Sequence, residues 1–170
     1  MLETTDLILK KAVREDWRDM YYNLWRHEES AKYMLWKVTT SEEEAQDRMA
    51  RTVKFQQEHL CSWLVCEKSS GRAIGFAGMM EIETGVYEDI GVALGPDYVG
   101  KGYGKQIVHA MADYAKNSLG AKKMVLSYRQ GNEASKRLQE SCGFVYSHSE
   151  DRVDPRTGEA YVLHFTYKML

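Results

Sequence analysis

Apolar residues near the start of the chain follow two different periods. A short run at residues 6–10 is typical of a strand. It is followed by apolar positions spaced by three and four, and this spacing predicts a helix whose buried face contains Trp17, Met20, Tyr21 and Leu24.

A second helix is predicted to begin near residue 41. Ser41 is followed three positions later by Glu44, the spacing of a capping box, in which each side chain bonds the other residue's backbone N–H. The buried side of this helix is predicted to contain Ala45, Met49, Val53 and Phe55.

The pattern changes to strands after Cys61. Apolar runs at 62–66, 73–80 and 89–94 are joined by short turns, so they predict an antiparallel meander. Cys61 and Cys66 are five positions apart and are expected to point to opposite faces of the sheet, which does not suit a disulfide.

The second half of the chain adds two helices and three strands. A helix with Ile107 and Met111 on its buried side follows a glycine-rich stretch, and Gly120 is predicted to end it. The predicted order is completed by a strand at 123–126, a helix at 132–142 and a hairpin of 144–146 with 161–167. The sequence predicts one α+β domain over residues 1–170, with about seven strands and four helices.

The stretch from residue 99 to residue 104 is the most informative part of the sequence. It has glycine at three alternate positions between a strand and a helix: Gly100, Gly102 and Gly104. The first N–H groups of a helix have no helical acceptor and the dipole there attracts anions, so a diphosphate is the expected ligand. Neither a Rossmann nor a Walker pattern fits, because Lys105 and Val99 stand where those patterns need glycine.

Residues 99–104 resemble the acyl-CoA loop of the GNAT acetyltransferase superfamily, Arg/Gln-x-x-Gly-x-Gly/Ala, with Val99 in place of Arg or Gln. Residues 132–144 are similar to the family's Asn-x-x-Ser…Gly-Phe segment. Residues 2–9 resemble the start of the branch that contains ribosomal-protein N-terminal acetyltransferases. The resemblance implies a mostly antiparallel twisted sheet that is splayed between its fourth and fifth strands, and acetyl-CoA as the acetyl donor.

The resemblance also implies roles for individual residues. Backbone groups are expected to bind coenzyme A at Val92, Leu94, Val99, Gly100, Lys101, Gly102, Tyr103 and Gly104, with Asn132 on the pantetheine arm. Asn132 also fits an ordinary helix cap, and Gly91 fits a simple bulge. Tyr33 and Trp36 are expected beside the acceptor.

Two residues are candidates for proton transfer. Asp89 is the candidate base, with Glu81, Glu83 and Glu88 as rivals and a water chain as a further alternative. Ser135 is the candidate acid for the departing thiolate, because Gln139 occupies the position where many relatives carry a tyrosine.

Composition narrows the function classes. The net charge is −2, without the basic surplus that nucleic-acid or anionic-membrane binding requires. The five histidines have no metal-ligand spacing, and no metal is expected. We expect a cytoplasmic enzyme, in a branch where homodimers are common, that acetylates a small-molecule or peptide N-terminal amine. A non-catalytic acyl-CoA-binding or sensing module is the alternative, since Val99 and Gln139 depart from the family pattern.

Overall fold

An eight-stranded sheet forms the centre of the computed structural model, which describes residues 1–170. The order across the sheet is β1-β2-β3-β4-β5-β6-β8-β7, and every neighbouring pair is antiparallel except β5 and β6. The strands are β1 (Leu2–Glu3), β2 (Leu7–Lys10), β3 (Ser62–Glu67), β4 (Ala73–Glu83), β5 (Val86–Leu94), β6 (Lys123–Arg129), β7 (Val145–Val153) and β8 (Ala160–Met169). The predicted mostly antiparallel sheet is confirmed, and the two-residue β1 is an additional strand.

The helices are α1 (Trp17–Met20), α2 (Glu28–Ala31), α3 (Glu42–Glu58), α4 (Tyr103–Leu119) and α5 (Glu133–Ser141). The single first helix that we predicted is instead three segments, because a 3-10 turn, Arg14–Asp16, precedes α1 and a π-helical segment, Tyr21–Trp25, follows it. A π turn takes an extra residue, so Leu24 and Trp25 are both buried although they are adjacent.

Ser41 caps α3, since its hydroxyl accepts a hydrogen bond from the N–H of Glu44 at 3.1 Å. The Glu44 carboxylate accepts from the N–H of Thr40 rather than from Ser41, so the predicted capping box is completed one residue earlier. The prediction that Phe55 is buried was wrong, because Phe55 is 40% exposed and Gln56 takes the inward position. The Gln56 side chain accepts a hydrogen bond from the N–H of Ala12.

Helices cover both faces of the sheet. On one face α4 buries Ile107 and Met111 against β2, β3 and β4. On the other face α3 buries Met49 together with residues of the first helical segment. Cys66 belongs to the second cluster and Cys61 packs against the first, as expected from their spacing. None of the helices combines the length and apolar character that crossing a membrane requires.

The feature that positions the functional site is the separation of β5 from β6. The two strands pair only over Val86–Glu88 of β5, and they diverge beyond that point. The ladder between β4 and β5 also shifts register between Gly78 and Met79, so Ile90 is an extra residue on β5. Gly91 has a φ of 124°, which favours glycine. The expected splay and the bulge at Gly91 are confirmed.

Candidate functional site

The opening between β5 and β6 continues into a cavity of about 930 Å³, which we call the splay cavity. Its walls are β5, β6, α5 and the loop that precedes α4. Nine of the eleven predicted site residues line it: Asp89, Val92, Leu94, Val99, Gly100, Gly102, Gly104, Asn132 and Ser135. The structure therefore brings together residues that are up to 46 positions apart in the sequence.

The loop before α4 exposes an unbroken series of backbone donors. Gly100 and Gly102 have φ values of 77° and 80°, in the left-handed region, and a Cβ atom at either position would meet nothing within 4 Å. The N–H groups of residues 99–105 donate to no protein acceptor. Seven consecutive free donors at the start of a 17-residue helix form a site that favours an anion.

Gly104 has a different local role from the two preceding glycines. A Cβ at this position would lie 2.9 Å from Cδ2 of Leu138 on α5. The absence of a side chain therefore lets α4 and α5 approach each other beneath the cavity.

The side chains of Lys101 and Tyr103 point away from the splay cavity. The Tyr103 hydroxyl donates to the Glu67 carboxylate at 2.7 Å, and this bond, together with burial, raises the pKa of Tyr103 to about 12. The Lys101 ammonium lies 3.9 Å from the same carboxylate. Only the backbone groups of these two residues belong to the loop surface, while their side chains fasten the loop to β3.

Val92 and Leu94 present their N–H groups to the opening. Gly95 donates to the carbonyl of Ile74 on β4, and hydrogen-bond directions alternate along a strand. The amides of Leu94 and Val92 therefore point away from β4, toward the side where β6 has separated. These two N–H groups would have donated to β6 if the strands had stayed paired, so they are available to a ligand in the opening.

Asp89 lies at the point where β5 and β6 begin to separate. Its carboxylate accepts a hydrogen bond of 2.9 Å from the N–H of Ser127 on β6. Desolvation by the surrounding protein raises the pKa of Asp89 to about 7, although the hydrogen bond from Ser127 lowers it. A carboxyl with this pKa exchanges a proton near neutral pH, which suits a general base.

The raised pKa of Asp89 leads to a prediction about how the free energy of unfolding depends on pH. The folded protein binds a proton at Asp89 up to pH about 7, whereas an unfolded aspartate releases it near pH 4. The ionised carboxylate therefore costs stability that is absent below pH about 3, grows as the pH rises from about 4, and is fully present above pH about 7. We expect Asp89→Asn to match the wild type near pH 3 and to exceed it at pH 8 by about 2 kcal/mol in urea unfolding, because water in the cavity reduces the full linkage value of about 4 kcal/mol. Asp113→Asn, on the exposed side of α4, controls for loss of one carboxylate. An equal difference at both pH values would contradict the assignment.

Ser135 and Asn132 lie at the start of α5. The Asn132 side chain caps the helix by accepting from the N–H of Ser135 at 3.1 Å. Gln139, which is buried, donates to the Ser135 hydroxyl at 3.2 Å and to the carbonyl of Ser127 at 2.9 Å. Its carbonyl oxygen accepts from Thr166. Gln139 thus fixes the Ser135 hydroxyl relative to Ser127, the β6 residue whose N–H also donates to Asp89.

The rival carboxylates are placed differently. Glu81 and Glu83 are exposed near the β4–β5 turn, and Glu81 accepts from the N–H of Gly85. Glu88 is adjacent to Asp89 and does not line the splay cavity. Burial raises the pKa of Glu88, and Arg152 opposes this effect. Of the four acids, only Asp89 lines the cavity.

Sequence reasoning did not single out Lys105 and Arg137, which also line the splay cavity. Both side chains are exposed and neither has a carboxylate partner within 4.0 Å. A cation in the first turn of a helix opposes the helix dipole, so the position of Lys105 was a signal that a bound anion could compensate.

A second cavity, also of about 930 Å³, lies between α3 and strands β3 to β5, and we call it the α3 cavity. It shares three lining residues with the splay cavity: Trp36, Phe76 and Ile90. Tyr33 lines only the splay cavity. The two cavities therefore meet at the β5 bulge. No cluster of three or more metal-binding side chains is present.

Comparison with known proteins gives a family match over most of the chain. Residues 6–145 match the family described as the acetyltransferase (GNAT) domain. The chain is 31% identical over 87 residues to the Bacillus subtilis (strain 168) protein YkkB, across 50% of this chain and 51% of that protein. The match thus spans about half the length of this curated relative.

Solved structures resemble the fold over almost the whole chain. An acetyltransferase (GNAT family) from Bacillus anthracis has a TM-score of 0.84 at 17% identity, with 99% of this chain and 97% of that chain covered. The spermidine N-acetyltransferase from Vibrio cholerae, in complex with CoA and spermine, has a TM-score of 0.75 at 20% identity, with 98% and 96% covered.

Proposed function

Because the chain belongs to the GNAT acetyltransferase family, we propose that it transfers an acetyl group from acetyl-CoA to a primary amine in a ternary complex. Acetyl-CoA supplies an activated thioester. The protein binds the donor, orients the acceptor and moves protons, and much of the rate comes from holding the reacting groups together.

The observation that carries this proposal is the set of free amides at residues 99–105. They lie at the start of α4 and face no protein acceptor, so they suit the diphosphate of coenzyme A. The cationic side chains of Lys105 and Arg137 line the same cavity and supply charge that Val99 does not. The open space at Gly100 and Gly102 lets phosphate oxygens approach the backbone.

The amides of Val92 and Leu94 hold the pantetheine arm and the thioester carbonyl. Donors aimed at an oxygen that gains negative charge in the transition state stabilise that state. Asn132 lies at the opposite wall, at the start of α5, and is the second contact for the pantetheine arm.

Proton transfer completes the reaction. Asp89, directly or through water, takes a proton from the acceptor ammonium, so that the amine nitrogen can bond to the acetyl carbon. As the carbon–sulfur bond breaks, the Ser135 hydroxyl donates a proton to the thiolate and regains one from solvent. Gln139 is a positioning residue, because it acts only by holding Ser135 through its 3.2 Å hydrogen bond.

The opening residues of the chain support the finer assignment to the branch that contains ribosomal-protein N-terminal acetyltransferases. On this assignment the acceptor is a peptide N-terminus or a small molecule. A binding or sensing module without turnover is the second candidate, and Val99 favours it because that position lacks the family's polar side chain.

One experiment tests the proposal against the binding or sensing module and against a nucleotide-binding protein. We expect acetyl-CoA, but neither ATP nor NAD, to raise the melting temperature. We then expect thiol release from acetyl-CoA that depends on an added amine, measured over a panel of peptides, amino acids and polyamines. Stabilisation without amine-dependent thiol release would favour the module, and stabilisation by ATP or NAD alone would contradict the proposal.

A further inference from the structure

Arg48 is a largely buried cation that forms no salt bridge. It lies on α3 and lines the α3 cavity. No carboxylate oxygen lies within 4.0 Å of its guanidinium. Burial lowers the pKa of Arg48 to about 10, so it remains charged at neutral pH. A desolvated charge without a counter-ion is costly, and proteins usually pair such a charge or use it to bind an anion.

The contacts of Arg48 hold it in one orientation. Its guanidinium carbon lies 4.6 Å from the ring centroid of Trp25 and 4.5 Å from that of Trp36. Only Nη1 forms hydrogen bonds, with the Thr39 hydroxyl at 3.0 Å and the Lys37 carbonyl at 3.5 Å. The edge formed by Nε–H and Nη2–H has no protein acceptor, and this edge matches a carboxylate or a phosphate.

The surroundings of Arg48 do not neutralise it. Glu44, one turn earlier on α3, is the one acidic residue that lines the cavity. It attracts Arg48 at longer range, but its carboxylate is hydrogen-bonded to the N–H and hydroxyl of Thr40 and forms no salt bridge with the guanidinium. Lys37 and Arg51 are exposed cations on the same cavity and have no carboxylate within 4.0 Å. Arg156 also lines it, but its charge is paired with Asp154 at 2.7 Å. The α3 cavity is therefore electropositive.

The indole of Trp36 gives a second, independent indication. Its Nε1–H is buried and has no hydrogen-bond partner, although buried polar groups are normally paired. Trp36 lines both cavities and stacks on Arg48. A second unsatisfied donor beside the same guanidinium is consistent with an acceptor-rich ligand.

We propose that the amine acceptor also carries an anionic group, a carboxylate or a phosphate, and that Arg48 binds this group through Nε–H and Nη2–H. This inference rests on the proposed function. The acceptor lies in the α3 cavity with its amine at the junction formed by Trp36, Phe76 and Ile90, where the two cavities meet. Polyamines, which carry only positive charge, are disfavoured by Lys37, Arg48 and Arg51.

Matched acceptor pairs test the inference by thiol release. One arm compares a free amino acid with its carboxamide, and the other compares phosphoethanolamine with ethanolamine. We expect at least one anionic member to have a kcat/KM about 10-fold or more above its neutral partner, and the arm that responds identifies the anion. Arg48→Met, which keeps the aliphatic stem between the tryptophans, is expected to remove this preference by raising KM for the anionic member alone. Lys54→Met, on the same helix but outside the cavity, is expected to retain it.

Equal use of both members of each pair by the wild type would overturn the inference, as would an equal loss for both members in Arg48→Met. Tryptophan fluorescence gives a readout that does not need turnover. Titration with inorganic phosphate and with acetate is expected to give a saturable change in the wild type and in Lys54→Met, but not in Arg48→Met. No saturable change with either anion overturns the inference. A saturable change without thiol release from any amine contradicts the proposed function instead.

Discussion

Gly102→Glu is expected to abolish acetyl-CoA binding while leaving the protein folded. The new side chain would occupy the open space beside the free amides of residues 99–105, and its carboxylate would repel phosphate oxygens. We expect the dissociation constant to rise about 100-fold or more, which corresponds to about 2.7 kcal/mol of binding free energy. Isothermal titration calorimetry with acetyl-CoA measures this change.

Gly120→Glu is the matched control for the backbone strain. Gly120 also has a positive φ, 67°, and open space around it, but it caps the opposite end of α4. Each substitution should cost about 1–2 kcal/mol of stability, since a residue with a Cβ is disfavoured in this conformation. Only Gly102→Glu should lose acetyl-CoA. Unchanged affinity in Gly102→Glu would remove the loop from the donor site.

Asp89→Asn is expected to lower kcat by about 100-fold with little change in acetyl-CoA affinity, which is typical for removing a general base. The amide can still accept from the N–H of Ser127, so the junction of β5 and β6 should keep its geometry. Steady-state thiol release at saturating acceptor, together with calorimetry for the donor, separates the loss of proton transfer from a loss of binding.

The pH profile makes the test of Asp89 specific. A base must be deprotonated to act, so wild-type kcat should fall as the pH decreases through about 7, the pKa that burial gives this carboxyl. The Asp89→Asn variant should lack this decrease of kcat at acidic pH. Glu88→Gln, at the adjacent position outside the splay cavity, is expected to keep the rate at neutral pH and the decrease of kcat at acidic pH. That decrease should move to slightly lower pH, because the charge of Glu88 helps to raise the pKa of Asp89. Wild-type turnover in Asp89→Asn would leave proton transfer to water.

The sequence predicted most of the fold because the required signals are local. Glycine at alternate positions before an amphipathic helix indicates backbone donors whichever way the chain folds, and the caps at Ser41 and Asn132 follow from spacing alone. The order of strands and helices came from apolar periodicity in the same way. Periodicity was less reliable at residues 21–25, where a π turn allows adjacent residues to be buried, and at Phe55, where Gln56 faces inward.

The candidate chemistry was only partly visible in the sequence. The family resemblance already placed Asp89 ahead of its rivals Glu81, Glu83 and Glu88, and only the tertiary structure shows that Asp89 alone of the four lines the splay cavity. Gln139 looked like a departure from the family pattern, yet its hydrogen bonds connect Ser135 to β6. These distinctions depend on which strands lie beside one another.

The sequence by itself determined most of the element order, the glycine-rich loop before α4 and the family to which the chain belongs, because these depend on residues that are close in the chain. Only the tertiary structure decided the pKa of Asp89 and the unpaired charge of Arg48. Both depend on desolvation by atoms from distant segments: β6 for Asp89, and the two stacked tryptophans for Arg48. Burial of a charge is a property of the surrounding fold, and no local pattern in the chain encodes it.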